Sequence, residues 1–474
     1  MKILLINPPW RLANNSVYSK TGAIYPPLGL AAIAATARQL PGCEVKVVDA
    51  YGLGIGIEEY TEILREENPQ VIGITAYTAT WQQALHAAKV AKQELPDTTI
   101  VMGGPHPTNL PEEVAARDCV DFVIRGEGEH AFLSLLKQLQ KTKPDFSSVE
   151  GLCYQTDDRI HLSDNVGYVD DLDALPPVNR HELPMHIYRP AAGAYKRQPV
   201  TSMITSRGCP FKCTFCSKAI FGSSVRFRSV ENVMEELEGL ISDFGIKEIY
   251  FADDCFTLNR KRATRICEEI IHRKLDLTWS CSTRANLVDR ELLQLMKSAG
   301  CISIGFGVET GNPEMAITIK KGITLEDAKT AVTLAREVGM DTRTSYIFGL
   351  PFETNKNMYQ TLRASMALDS DFVIFNLAVP LPGTELYRVA KENNLLLYEG
   401  EDLYAMTDGA TVTIRPAEMT PGQLRKFYKD AYRLYYLRPT YIWKRLKRIR
   451  SKTDLINNLK GLKEFLSWQN STES

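Results

Sequence analysis

The chain has 474 residues, a formal net charge of −1 from 56 basic and 57 acidic side chains, and 44% hydrophobic residues. That length allows roughly two to four domains with ample core, and the balanced charge gives no global field that would point to nucleic acid. Ten cysteines are too few for a disulfide scaffold, and outside one cluster they are scattered through apolar segments, as buried thiols of a reducing compartment are.

The chain opens on a short apolar run halted by Pro8 and Pro9, which reads as a buried strand and not as a signal segment. No apolar run is long enough to span a bilayer, so a cytoplasmic protein is expected. Short β-branched runs predict strands over 2–6, 44–48, 71–75, 99–102 and 120–124. Helical spacing recurs between them at Ile57, Tyr60, Ile63 and Leu64, and again at Leu85, Ala88 and Val90. Strands alternating with helices predict a doubly wound parallel sheet whose ligand sits beyond the strand C-terminal ends. The segments just past those ends are Asn7-Pro8-Pro9-Trp10, Thr75-Ala76-Tyr77-Thr78, Gly103-Gly104-Pro105-His106 and Arg125-Gly126-Glu127-Gly128-Glu129. Glycines there let backbone approach a large ligand, while the absence of G-x-G-x-x-G after the first strand disfavours a dinucleotide.

The runs Pro26-Pro-Leu-Gly, Val47-Val-Asp49, Gly103-Gly-Pro-His106-Pro-Thr and Arg125-Gly-Glu-Gly-Glu129 resemble the cobalamin-binding domain found ahead of radical S-adenosylmethionine (SAM) domains. The resemblance implies cobalamin contacts from Pro8, Trp10, Thr75, Tyr77, Gly103, Gly104, His106, Gly126 and Glu127. The D-x-H-x-x-G signature, in which a His ligates cobalt, is absent, so His106 is a pocket candidate and not an axial ligand.

A hairpin is predicted around Thr156-Asp157-Asp158, followed by a proline- and acid-rich connector. From Val200 the alternation resumes, with strands predicted at 200–205, 247–252, 277–282, 301–306, 343–348 and 371–376. Helix starts at Ser229, Asp289 and Thr324 carry a capping oxygen followed by acids in the first turn. Six βα units predict a partial (β/α)6 barrel, too few for a closed eight-stranded one. Directly after the first of these strands comes Cys209-Pro-Phe-Lys-Cys213-Thr-Phe-Cys216. Three thiolates on one loop, with no fourth Cys or His within it, do not close a structural zinc site. On a four-iron cluster they would leave one iron open.

With the strand ends Phe251-Ala-Asp253-Asp254, Ser280-Cys-Ser282-Thr-Arg284, Gly305-Phe-Gly307-Val-Glu309-Thr, Gly349-Leu-Pro351 and Pro380-Leu-Pro-Gly383-Thr-Glu-Leu-Tyr387, this loop resembles the cobalamin-dependent subgroup of the radical SAM superfamily. The resemblance spans roughly residues 1–395. It implies a [4Fe–4S] cluster on Cys209, Cys213 and Cys216, with SAM held by Phe215, Asp253, Asp254, Ser280, Ser282, Arg284 and Glu309. It further implies cleavage of SAM to a 5′-deoxyadenosyl radical and methyl transfer from methylcobalamin to an unactivated carbon. Alternatives are an oxidative cyclase of a tetrapyrrole and a non-catalytic cobalamin or iron–sulfur module. The expected partners are a small-molecule substrate (a tetrapyrrole, lipid or natural-product precursor) and a reductant such as flavodoxin or ferredoxin.

Residues 396–474 change character. Phe427, Tyr428, Tyr432, Tyr435 and Tyr436 predict an aromatic helix ending at Arg438-Pro439, followed by a basic amphipathic stretch from Tyr441 to Lys452. That stretch reads either as a solvated helix against the barrel mouth or as a peripheral contact with anionic membrane. The resulting division is a cobalamin domain over 1–140, a hairpin and linker over 141–195, a barrel over 196–395 and a mostly helical region over 396–474.

Overall fold

The computed structural model describes residues 1–9, 23–157, 159–190, 195–407, 409–448, Lys463 and Trp468. Trp10 and residues 449–452 of the basic stretch lie outside the described residues. The first sheet contains β1 (Lys2–Asn7), β2 (Glu44–Asp49), β3 (Val71–Thr75), β4 (Thr99–Gly103) and β5 (Phe122–Ile124), parallel in the order β2-β1-β3-β4-β5. Side chains alternate between faces along β1. Leu4 and Ile6 meet the helices Ile57–Glu67 and Trp81–Glu94 through Tyr60, Leu64 and Trp81. Ile3 and Leu5 meet the helices Leu28–Ala37 and Gly128–Leu139 through Leu30, Phe132 and Leu135. Both faces are covered, so the sheet is doubly wound, as the apolar runs predict.

The expected hairpin, β6 (Leu152–Thr156) and β7 (Arg159–Leu162), is not free-standing. Buried Leu152 and Cys153 pair antiparallel with β5, and the hairpin extends the sheet to seven strands.

The second sheet is all parallel, ordered β15-β14-β13-β12-β11-β8 from β8 (Val200–Met203), β11 (Glu248–Phe251), β12 (Thr278–Thr283), β13 (Cys301–Glu309), β14 (Asp341–Phe348) and β15 (Phe372–Leu377). A two-residue pair, β9 (Ser206–Arg207) with β10 (Arg226–Phe227), pinches the base of the cysteine loop. The three predicted caps form: Ser229, Asp289 and Thr324 accept from Asn232, Leu292 and Asp327 backbone N–H groups. Trp279, Cys281 and Cys301 point outward into the layer between strands and helices, where Cys267 joins them. The scattered thiols are therefore mostly core residues.

The aromatic helix runs over Pro421–Tyr436 and a second over Pro439–Arg448. The first lies along the edge strand β15. The Tyr432 hydroxyl donates to the Phe375 carbonyl (2.9 Å) and accepts from its N–H (3.1 Å), and Tyr436 does the same at Val373 (2.7 and 2.9 Å). Edge backbone that would otherwise invite another strand is thus satisfied by phenols. Between barrel and helix, the segment Gly400–Ala405 crosses back to the first domain, where Leu403 and Tyr404 are buried. Among the described residues no helix is long and apolar enough to cross a membrane.

Candidate active site

The cysteine loop leaves the C-terminal end of β8, and Cys209, Cys213 and Cys216 all border one cavity of about 1440 Å³. They are free thiols, the first two half-buried and Cys216 exposed. Burial, then the charges of Asp254, Cys209 and Cys213, pushes the Cys216 thiol up to about 11. A thiol raised in this way needs a nearby cation to become a thiolate. Three thiols on one loop, with no fourth Cys or His within it, suit a four-iron cluster with one open iron better than a closed structural zinc site. Arg284 anchors this wall. Its guanidinium lies 3.7 Å over the Phe211 ring, donates to the Lys321 and Gly322 carbonyls, and comes within 4.0 Å of the Cys213 sulfur.

The neighbouring strand ends divide into residues that face the cavity and residues that support it. Asp254 borders the cavity, its carboxyl raised by burial and by Asp253. Asp253 is 4% exposed and accepts from Thr205 N–H (2.6 Å), Thr205 Oγ1 and Ser206 Oγ (2.8 Å). Those bonds tie both its oxygens to the start of the cysteine loop and it does not border the cavity, so the expectation that it contacts a ligand is corrected: it holds the start of that loop. Ser282 borders the cavity, whereas Ser280, two residues earlier on β12, is buried and does not.

Glu309 stands at a bulge in the β13–β14 register with φ +70°, a left-handed conformation a non-glycine adopts at a cost. The bulge turns its carboxylate onto buried Lys321 Nζ at 2.9 Å, with Ser345 Oγ at 3.4 Å. A Cβ on Gly307 would sit 2.3 Å from Glu309 Oε1 and 2.7 Å from Lys321 Nζ, so any side chain there would have to displace this pair. Phe215 lines the cavity against the apolar cluster that contains Ile347, and Lys321 Nζ lies 5.8 Å from its ring centre.

The first sheet supplies the opposite wall. Pro8, Thr75, Tyr77, Gly103, Gly104, Gly126 and Glu127 all border the same cavity, and Tyr77 is 57% exposed there. Gly104 has φ +98°, and a Cβ would meet Thr75 Oγ1 at 2.8 Å and the Ala76 carbonyl at 2.9 Å. The β3 and β4 loops are packed together in a way only glycine permits. His106 is a correction. It is fully buried, turned away from the cavity, stacked on Trp81 at 4.4 Å and edge-on to Tyr404 at 4.8 Å. Glu127 reaches the wall, but its carboxylate is committed to Arg226 (2.7 Å), Arg207 (3.3 Å) and the Val169 N–H.

Residues 15–136 match the B12 binding domain model and residues 203–364 match the radical SAM superfamily model. An uncharacterized methyltransferase, PH0819, of Pyrococcus horikoshii is 37% identical over 94% of this chain and 94% of its own length. The chain belongs to the cobalamin-binding radical SAM enzymes. The anaerobic magnesium-protoporphyrin IX monomethyl ester cyclase of Cereibacter sphaeroides is 28% identical, covering 94% of this chain and 72% of the cyclase. The radical SAM methyltransferase TsrM of Kitasatospora setae, solved with cobalamin and a [4Fe–4S] cluster, superposes with a TM-score of 0.68 at 22% identity. That superposition covers 84% of this chain and 76% of TsrM.

This radical SAM enzyme uses a [4Fe–4S] cluster, SAM and cobalamin, and its residues fit them. Three open thiols suit the cluster, and the tightly apposed Thr75 and Gly104 loops suit a broad flat ring. With His106 packed into the core, it offers cobalt no imidazole. The sequence reading missed Lys321, Arg343, Tyr25 and Tyr250, all of which belong to the cavity or its edge. For Arg343 a signal existed: on β14 the positions Thr342, Thr344, Tyr346 and Phe348 are buried, and Arg343, Ser345 and Ile347 take the alternate face.

Proposed function

We propose that this enzyme methylates an unactivated carbon of a small-molecule substrate bound between its two sheets. The observation that carries the reading is that the three thiols and the loops ending β1, β3, β4 and β5 border a single cavity. Cys209, Cys213 and Cys216 hold the cluster. Asp254, not Asp253, takes the methionyl ammonium of SAM, Arg284 and Ser282 receive its carboxylate and ribose, Phe215 packs beside adenine, and Glu309 with Lys321 closes that side. Pro8, Thr75, Tyr77, Gly103 and Gly104 cradle cobalamin. When bound, the cluster supplies the electron that cleaves SAM and cobalamin supplies the methyl group. The protein contributes positions and the exclusion of water. The substrate is a tetrapyrrole, a lipid or a natural-product precursor, and a flavodoxin or ferredoxin supplies the electron.

A second reading, oxidative cyclisation of a tetrapyrrole, is favoured by the resemblance to the cyclase. Anaerobic, reduced enzyme given SAM and candidate substrates separates the two. Methylation yields 5′-deoxyadenosine together with S-adenosylhomocysteine and a labelled product from methyl-labelled SAM. Cyclisation yields 5′-deoxyadenosine alone. Cys213→Ala is expected to lose both the iron–sulfur absorbance near roughly 400 nm and all cleavage; cleavage retained in that variant would falsify the reading. The exposed Ile442, Trp443 and Leu446 of the helix Pro439–Arg448 are proposed to touch anionic membrane, and co-sedimentation with phosphatidylglycerol vesicles tests this. Unchanged sedimentation of Trp443→Ser would end it.

A further inference from the structure

Arg343 projects from β14 into the barrel interior, on the same face as Ser345 and Ile347. Its guanidinium lies 5.7 Å from the Tyr250 ring centre, and its Nη2 is buried with no hydrogen-bond acceptor. Among the described residues no carboxylate pairs with it. Its register partner on β13 is Gly305, and Glu309 further along that strand is taken by Lys321 and Ser345. Tyr25, arriving from the first domain, sets its ring 6.3 Å from Tyr250. Among the described residues neither phenol has a protein hydrogen-bond partner, and both border the cavity. A guanidinium in a partly desolvated chamber without a counter-charge is unfavourable unless a ligand brings one. Two phenols beside it add hydrogen-bond donors.

We propose that Arg343, Tyr25 and Tyr250 form a binding site for an anionic group, a carboxylate or a phosphate, on the substrate. The inference rests on the reading of the cavity as a substrate chamber and adds the substrate's charge. Ser345 lies two residues further along β14, about 7 Å away at strand rise, and it touches Glu309. The anion is therefore held deeper in the barrel than the Glu309–Lys321 pair, which leaves the rest of the substrate to extend toward the cysteine loop.

Equilibrium dialysis of the holoenzyme, loaded with cluster, cobalamin and S-adenosylhomocysteine, tests this with indole-3-acetate, phenyl phosphate and the neutral indole-3-acetamide. The expected result is that one anion binds, the amide binds at least roughly 10-fold more weakly, and Arg343→Gln weakens the anion by roughly 10- to 100-fold, as for loss of a charge-assisted bond. Arg343→Lys should recover part of that loss. Which anion binds tells carboxylate from phosphate. Equal binding of acid and amide, native-like anion binding by Arg343→Gln, or no anion binding by the native enzyme overturns the proposal. So does a variant that loses affinity for S-adenosylhomocysteine and none for the anions, since Arg343 then serves SAM. Formation of 5′-deoxyadenosine by the reduced native enzyme is read separately, so failure of the broader catalytic reading is distinguishable.

Discussion

His106 shows how far a residue can be read from sequence and where reading stops. Its place after Gly103-Gly104-Pro105 puts it next to a stretch that borders the cavity, but its side chain is spent on Trp81 and Tyr404, and both ring nitrogens lack hydrogen-bond partners. Burial, with Arg117 adding to it, lowers its pKa to about 4 from 6.5. Folded protein therefore binds fewer protons than unfolded protein between those values. Stability is full above pH 6.5 and falls as pH drops toward 4, by on the order of 3 kcal/mol. His106→Phe keeps an aromatic ring there and should flatten that portion of the pH dependence in urea midpoints; parallel slopes for variant and native would refute the assignment. The Asp253-Asp254 pair makes the same point. The motif was legible and the division of labour was not, because adjacent residues on an extended segment face opposite ways and only packing decides which faces the cavity.

At the scale of elements, eleven parallel strands followed from β-branched runs and alternation, since burial on both faces leaves continuous apolar sequence. The hairpin was legible as a hairpin, but its attachment to β5 was not, because antiparallel pairing of short strands leaves no long-range sequence signal. The aromatic helix was visible by composition, and its task was hidden. Tyr432 and Tyr436, four apart, face alternate residues of β15, so helical and strand periods coincide for one turn. Replacing both by Phe keeps the packing and removes the hydroxyls from buried backbone groups. The cost expected is about 1–3 kcal/mol for each group left unpaired, seen as a lower denaturant midpoint and as faster aggregation through the bared edge. A midpoint equal to the native one would show that water serves the edge as well as the phenols do.

For the whole molecule the question is what fixes the two sheets at a set separation, since the cavity between them keeps its shape only if its walls do not drift. Two contacts answer it. Tyr404 donates to Glu113 at 3.1 Å and Glu401 pairs with Arg117 at 3.0 Å, tying the C-terminal segment to the first domain. The stronger tie runs from the Arg125-Gly-Glu-Gly-Glu129 loop into both feet of the cysteine loop: Glu129 to Arg207 at 2.6 Å, and Glu127 to Arg207 and Arg226. Burial alone would lower the pKa of Arg207; the two carboxylates more than offset it. Such a buried network is costly to break from one side, on the order of 3–5 kcal/mol, because the abandoned charges stay desolvated. Glu127→Gln with Glu129→Gln is therefore expected to do more than lower stability. With the interface weakened, the two sheets should unfold in separate transitions, further apart than any in the native chain. Amide exchange should rise at residues 206–208 and 224–227, while the cores flanking β1 and β12 stay protected. If the double variant unfolds as the native chain does, with nothing shifted, the ion pairs follow the domain arrangement and do not set it, and the position of the cysteine loop would have to be fixed by the C-terminal crossing instead.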